Sequence, residues 1–239
     1  MPRRLTRDEL ERLMMRRFGR ELTAQEARIL YVLDTEPELL LYNEFWLEEQ
    51  KQFPWLQTLF TAAAVYAASE VLAGEQVPII TDPVERMARE AAFDLIKGIT
   101  DTTRAGLSDS LSQWFAGGLT RQQIEDKIGL LFTPERASRI AITESTRLVA
   151  QGKLAGAREL EQLGFRVQAR FIQNSNYPTC QCAELRNTIV DLNDPSVHPP
   201  IHPNCNCEIV LEFLDATDKT LTAEDVEGIA RKVYAEMAA

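Results

Sequence analysis

The chain has 239 residues, of which 45% are hydrophobic, 26% charged and 8% aromatic. These proportions are typical of a folded globular protein with one or two domains, and they exclude a disordered chain. The formal net charge of −10 argues against broad electrostatic binding to a nucleic-acid backbone.

The charge is distributed unevenly over the first sixty residues. Residues 1–20 contain seven arginines and three acids, a local balance of +4, whereas residues 21–60 contain eight acids and two basic residues, a balance of −6. The basic end is a candidate contact for DNA or for an acidic protein surface. A solvated face of an amphipathic helix is the simpler explanation of the same pattern.

Helix signals dominate the first two thirds of the chain. Thr6, Thr23 and Thr120 each precede a Glu or Gln by three residues, which is the capping-box spacing that opens a helix. Segments rich in Leu, Ala, Glu and Arg, with prolines only near their starts, predict further helices over residues 37–51, 54–73, 82–98 and 102–115. The longest apolar stretch, residues 55–68, is too short to span a bilayer, and no N-terminal signal region precedes it. We therefore expect a protein of the cytosol or of an assembly built there.

The strongest helix prediction covers residues 133–163. Thr133 with the following Pro and Glu supplies an N-cap, a proline at the first helical position and an early acid, and Gly164 marks the end. On a 3.6-residue period Glu144 lies on the packed face, where a carboxylate is costly unless it is paired. Glu144 is thus either a general base or ligand or, as we favour, half of a structural ion pair with Arg170 or Arg186.

After Gly164 the pattern changes to alternation. Residues 165–171 and 207–213 alternate apolar and polar side chains and predict half-buried strands, and residues 187–192 predict a second short strand between them. The predicted fold class is α+β, mainly α: an elongated helical N-terminal body, then a long helix and a small antiparallel sheet carrying a Cys/His cluster. Thr222 with Asp225 predicts a last amphipathic helix to about Met237.

All four cysteines and both histidines lie between Cys180 and Cys207, as CQC, a linker and HPPIHPNCNC. Tetrahedral zinc takes four such ligands, although the spacing of one residue within each cysteine pair is shorter than in usual zinc ribbons. A structural zinc site, disulfides or plain thiols, and a catalytic metal centre all remain open; a cytosolic location favours thiols or metal ligands. His198 is expected outside the cluster. The candidate ligands are Cys180, Cys182, His202, Cys205 and Cys207.

The order of these motifs resembles the phage head morphogenesis family, minor head proteins similar to protein F of phage Mu. The resemblance covers about residues 100–213: a short helix after GG, a helix with a Thr-Glu pair, a strand, a cysteine pair, and HPNCNC before a last strand. Glu144 corresponds to the family's TE glutamate, Cys180 to the first cysteine of its pair, and His202, Cys205 and Cys207 to its HPxCxC motif.

The chain also departs from the family's pattern. Ile142 stands in place of the arginine before TE, Phe171 in place of a tryptophan, and Asn206 in place of the arginine between the last two cysteines, and the family's CxxC is shortened to CQC. These differences leave the bonding pattern of the cluster open.

The resemblance implies a phage or prophage minor capsid protein, from a family without an established enzymatic reaction. Such a protein is assembled in the host cytoplasm, associates with the portal and with other capsid or scaffold proteins, and lies inside the virion head near the portal, where it supports head assembly and DNA packaging or delivery. It implies a helical N-terminal region for these contacts (1–99), a head morphogenesis domain (100–214), and a linker with an amphipathic helix (215–239).

The alternative is a zinc-dependent hydrolase or deaminase-like enzyme that uses the Cys/His cluster, with Glu144 as its proton carrier. Zinc deaminases place their acid two residues after the ligand histidine. Here that position, counted from His202, is Asn204, so the spacing argues against this alternative.

Overall fold

The computed structural model describes residues 6–70, 78–162, 164–174, 180–215, 220 and 222. Within these residues a helical part precedes a small sheet, and this confirms the predicted α+β, mainly α, fold class. No helix among them is both long enough and apolar enough to cross a membrane. The elements are α1 (Arg7–Thr35), α2 (Asn43–Gln50), α3 (Pro54–Glu70), α4 (Pro78–Phe115), α5 (Arg121–Gly129), α6 (Pro134–Gln162), β1 (Arg166–Ile172), β2 (Ile189–Val190) and β3 (Glu208–Leu214), with 3-10 turns at Pro37–Leu41, Gln181–Leu185 and Pro195–Val197.

Two of the three predicted capping boxes are confirmed. Thr6 and Thr120 are N-caps of α1 and α5, and each forms a complete capping box with the residue three positions later. The prediction for Thr23 is wrong, because this residue lies inside α1, where its hydroxyl donates to the Gly19 carbonyl oxygen at 2.9 Å. The buried face of α1 continues past Thr23 through Ile29, so packing carries the helix across a local capping signal.

The predicted interruption between residues 98 and 102 is also wrong, since α4 is one continuous helix. Thr100 and Thr103 are buried and turn their hydroxyls back to the carbonyl oxygens four residues earlier, at 2.9 and 2.8 Å. These threonines therefore satisfy their polar groups within the helix rather than by capping a new one. The boundary predicted between residues 99 and 100 falls within this helix.

Helix α6 is the central element of the fold and packs against α1, α3 and α4 on one side. It lies close to α3 at Gly152, where a Cβ atom would lie 2.7 Å from the Ala64 carbonyl oxygen and 2.9 Å from the Ala67 Cβ. The main core fills the space between the helices with large side chains. Its largest fully buried members include Phe18, Trp46, Phe53, Phe60 and Leu107.

The sheet has the order β2-β1-β3, and both pairings are antiparallel. Ala169 of β1 lies opposite Val190 on one side and Leu211 on the other, so the predicted alternation and pairing are confirmed. Ala169 and its buried neighbours pack on Ala150 and Leu154 of α6 in a second core cluster. The C-terminal helix predicted to Met237 lies outside the described residues.

Candidate metal centre

The candidate ligands come from two segments on either side of β2. Cys180 precedes the short 3-10 turn that contains Cys182, and Cys205 and Cys207 lie immediately before β3. Cys182, Cys205 and Cys207 are each at most 1% exposed and belong to the core cluster between the sheet and α6. The sulfur atoms that the sequence predicted to face inward do so because β3 continues the alternation of its inner face back to Cys207.

The ligand atoms form two overlapping groups that share Cys182. Cys180, Cys182 and His202 form one group, and Cys182, Cys205 and Cys207 form the other; within each, the ligand atoms lie within 4.8 Å of one another. These two groups could each hold a metal ion.

Two interatomic distances show how tight the cluster is. The Sγ atoms of Cys182 and Cys205 are 3.6 Å apart, and Cys180 Sγ is 2.9 Å from His202 Nε2. Two thiolates bound to one tetrahedral zinc at about 2.3 Å would lie roughly 3.8 Å apart, close to the first value. All four cysteines are free thiols in this structure, and a disulfide needs an S–S distance of about 2.05 Å.

The imidazole of His202 is oriented for ligation. Its Nδ1 lies 2.8 Å from the Pro203 carbonyl oxygen, and a carbonyl oxygen can only accept, so Nδ1 carries the proton and donates. In the neutral tautomer Nε2 then presents its lone pair toward Cys180. A hydrogen bond from the second ring nitrogen to a carbonyl oxygen is the usual way in which proteins fix a metal-binding histidine.

The pKa values of the clustered thiols are shifted in different directions. Burial raises the pKa of Cys182, and hydrogen bonds and charge from the neighbouring thiols raise it further. Burial also acts on Cys205, but hydrogen bonds from the Cys207 and Ile201 amides and from Cys182 outweigh it and lower the pKa of Cys205. The thiols therefore differ in how readily they lose a proton, and a bound divalent cation would favour the ionised form of every ligand thiol.

Helix α6 fixes the loop that carries the second cysteine pair. Thr146 is 1% exposed, and its hydroxyl donates to the Cys205 carbonyl oxygen at 2.7 Å. The Asn204 amide donates to the Thr143 hydroxyl at 3.0 Å. Asn204 adopts a φ of +62°, a left-handed conformation that Asn tolerates better than most residues, so the chain reverses sharply before the cysteines.

The first turn of α1 also contacts the loop that carries Cys205 and Cys207. Arg7 donates to the Thr146 hydroxyl at 2.6 Å and to the Cys207 carbonyl oxygen at 3.4 Å. Sequence reasoning missed Arg7, Thr143 and Thr146 as parts of this site. The quoted Thr-Glu motif of α6 was a signal for the two threonines, since they flank Glu144 at helical spacing, but nothing in the sequence pointed to Arg7.

Glu144 is buried as predicted, with 9% of its surface exposed, but its predicted partner is wrong. It pairs with Arg147 one turn later at 2.9 Å, whereas Arg170 binds Glu212 across the sheet and Arg186 binds the side chain of Gln173. Burial raises the pKa of Glu144, and Arg147 opposes that shift in part. Glu144 belongs to neither of the two ligand groups found among the described residues.

His198 also lies outside both ligand groups of the described chain. Its Nε2 is 2.7 Å from the Asp191 carbonyl oxygen and so donates in a loop contact. Comparisons of the chain with protein-family models, with curated proteins and with solved structures found no match.

Proposed function

We propose that this chain is a phage or prophage minor capsid protein in which structural zinc closes the C-terminal module. The observation that supports it is the convergence of the motif residues that resemble the head morphogenesis family: Cys180, Cys182, His202, Cys205 and Cys207. In this proposal the protein is assembled in the host cytoplasm, binds the portal and capsid or scaffold proteins, and supports head assembly and DNA packaging or delivery from inside the head. It has no enzymatic activity.

The three buried cysteines are the core of the proposed zinc site. Cys182, Cys205 and Cys207 bring their sulfurs together beneath the sheet, and the fourth ligand comes from the adjacent pair of Cys180 and His202. Three protein thiolates with a fourth protein ligand leave no coordination position for substrate, which is the arrangement of structural rather than catalytic zinc.

The small size of the sheet explains why such a site is useful. β2 has two residues, and β1 and β3 have seven each, so the sheet buries little surface by itself. A metal that joins the turn before β2 to the start of β3 would stabilise the module by favouring the folded state over the unfolded chain.

Metal analysis of the purified chain tests the zinc proposal. We expect one zinc per chain by mass spectrometry of metals, and a melting temperature that falls with a chelator but not with a reductant. Cys205→Ser and Cys207→Ser should each lose zinc and have a lower melting temperature. Cys180→Ser and His202→Asn identify the fourth ligand, because only the variant that lacks this ligand should lose zinc. A fall with reductant alone would assign disulfides, and no change in melting temperature under either treatment or substitution refutes the proposal that a metal or disulfide stabilises this module.

X-ray absorption distinguishes the zinc-enzyme alternative. A zinc coordination shell of sulfur and nitrogen ligands alone supports structural zinc. An oxygen ligand from water would favour the hypothesis of a hydrolase or deaminase-like enzyme with Glu144 as proton carrier.

The assembly role needs its own test. Co-expression with a phage portal protein should yield a co-purifying complex, and deletion of the gene from its phage should give heads with defective assembly or DNA content. Heads that assemble, fill and infect normally without the protein would refute the proposed role, even if zinc is bound.

A further inference from the structure

The surface around the end of α1 combines exposed apolar side chains with acids. Residues 31–47 contain five of the large hydrophobic side chains that are exposed in the described residues, with 39–68% of their surface accessible. Exposed carboxylates lie between them in sequence. We call this surface the acidic apolar patch: Tyr31, Leu39, Leu41, Tyr42 and Leu47 with Glu36, Glu38 and Glu44.

The patch rests on a firmly packed base. Leu40 and Trp46 are buried under it, and the Trp46 Nε1 donates to the Leu40 carbonyl oxygen at 3.0 Å. Glu49, on α2 with Trp46, is 3% exposed. Its carboxylate accepts hydrogen bonds from Arg28 Nε at 2.8 Å and from a terminal Arg28 nitrogen at 2.9 Å. The fold thus holds these apolar groups at the surface, where a partner could cover them.

The opposite end of α1 presents the complementary charge. Arg12, Arg16, Arg17 and Arg20 are exposed, whereas Leu10, Met14, Phe18 and Leu22 of the same turns face the core. At about 100° per residue, three of the arginines, spaced by four residues, lie within roughly 80° of the helix circumference. We call Arg12, Arg16, Arg17 and Arg20 the basic stripe.

The two surfaces are too far apart to neutralise each other within one chain. Arg20, the last residue of the stripe, and Glu36 at the end of α1 are separated by about 24 Å along the helix at 1.5 Å per residue, well beyond the Debye length of roughly 8 Å at physiological salt. Complementary surfaces at different places on one molecule produce a heterologous, head-to-tail contact, which closes as a ring or extends as a filament.

We propose that the basic stripe of one copy docks on the acidic apolar patch of a second copy. Guanidinium groups form bidentate hydrogen bonds with carboxylates and stack on tyrosine rings, and their aliphatic stems cover leucine side chains. A phosphate backbone would match the stripe but would leave the patch uncovered. A second copy is the occupant that uses both surfaces, and this conclusion does not depend on the proposed function.

Charge reversal in the full chain tests the contact. The stripe variant carries Arg16→Glu, Arg17→Glu and Arg20→Glu, and the patch variant carries Glu36→Arg, Glu38→Arg and Glu44→Arg. A control with Glu90→Arg, Asp109→Arg and Glu161→Arg reverses three exposed acids outside the patch. Sedimentation velocity from about 1 to 100 µM measures association, and circular dichroism checks that each variant is folded.

We expect the native chain and the control to associate, with weaker association at high salt. Each reversal variant alone should associate at least about 100-fold more weakly, because like charges then face each other. An equimolar mixture of the two variants should associate again, since each supplies the complement that the other lacks. A native chain that stays monomeric, or a mixture that stays dissociated, overturns the proposal. If the stripe reversal abolishes DNA binding by a monomeric native chain, the stripe is a nucleic-acid contact instead.

Discussion

Replacing Thr146 with valine tests how strongly α6 supports the cysteine cluster. The side chain is almost completely buried and connects two distant parts of the chain, because its hydroxyl donates to the Cys205 carbonyl oxygen and accepts from Arg7. Valine has nearly the same shape, so Thr146→Val removes these two hydrogen bonds without opening a cavity.

The two lost bonds differ in cost. The Cys205 carbonyl oxygen loses a buried partner, which costs about 1–3 kcal/mol, whereas Arg7 is half-buried and can bond to water instead. We therefore expect a loss of about 2 kcal/mol in the free energy of unfolding. For a chain of this size that corresponds to a fall of roughly 4–8 °C in melting temperature. Because Thr146 positions the backbone of a ligand residue, zinc affinity should also fall about 10- to 100-fold.

The assay compares Thr146→Val with Thr146→Ser. Serine keeps the hydroxyl and loses only a methyl group, so it should cost about 1 kcal/mol and leave zinc affinity nearly unchanged. Differential scanning fluorimetry gives the melting temperatures, and competition with a chromophoric chelator gives the affinities. Equal zinc affinity in the valine variant and the native chain, or an equal loss in the serine variant, would refute this role of the hydroxyl.

Two further predictions concern α6. Gly152→Ala should destabilise the protein by about 1–3 kcal/mol, because its Cβ would meet the backbone of α3. The control Gly98→Ala has open space around it and should stabilise the protein by about 0.5–1 kcal/mol. Thermal melting of both variants checks this, and a stabilising Gly152→Ala would contradict the close contact between α3 and α6. Burial raises the pKa of Glu144 above its ordinary 4.5, so the folded state holds the proton more tightly and the native chain loses stability as the pH rises through this range. Glu144→Gln removes that loss, and urea unfolding at pH 4, 5.5 and 7 should show its advantage growing with pH; an advantage independent of pH contradicts burial as the cause.

The strands and the cluster could be predicted because their signals are local. The alternation of apolar and polar side chains over residues 165–171 and 207–213 predicts strands without knowledge of the fold. Because one face of these strands is buried, the register of β1 against β3 is fixed. The cysteines were expected on that inner face because Cys207 continues the alternation of Ile209 and Leu211. The alternation that carries both predictions is visible within a few residues, although the cluster itself joins Cys182 to Cys205, 23 positions later.

The errors at Thr23 and Glu144 have different causes. Thr23 has a capping-box spacing, yet the apolar face of α1 extends through it, and burial of that face outweighs a cap worth about 1 kcal/mol. Glu144 was assigned Arg170 or Arg186, but Arg147 lies one helical turn away and pairs without ordering a second segment. The first error underestimated tertiary packing, and the second overlooked a partner on the same helix.

The supporting contacts could not be predicted, because they join residues far apart in sequence. Thr146 and Cys205 are 59 positions apart, and Arg7 and Thr146 are 139 apart. Such contacts exist only once α1 and the cysteine loop both pack on α6. Helix α6 therefore links the two core clusters: one stretch of it packs among the helices, and Thr146 and Leu154 hold the cysteine loop and the sheet. A metal at the cysteine cluster would thus act on more than the thin sheet, because the same hydroxyl that positions Cys205 also receives the first turn of α1.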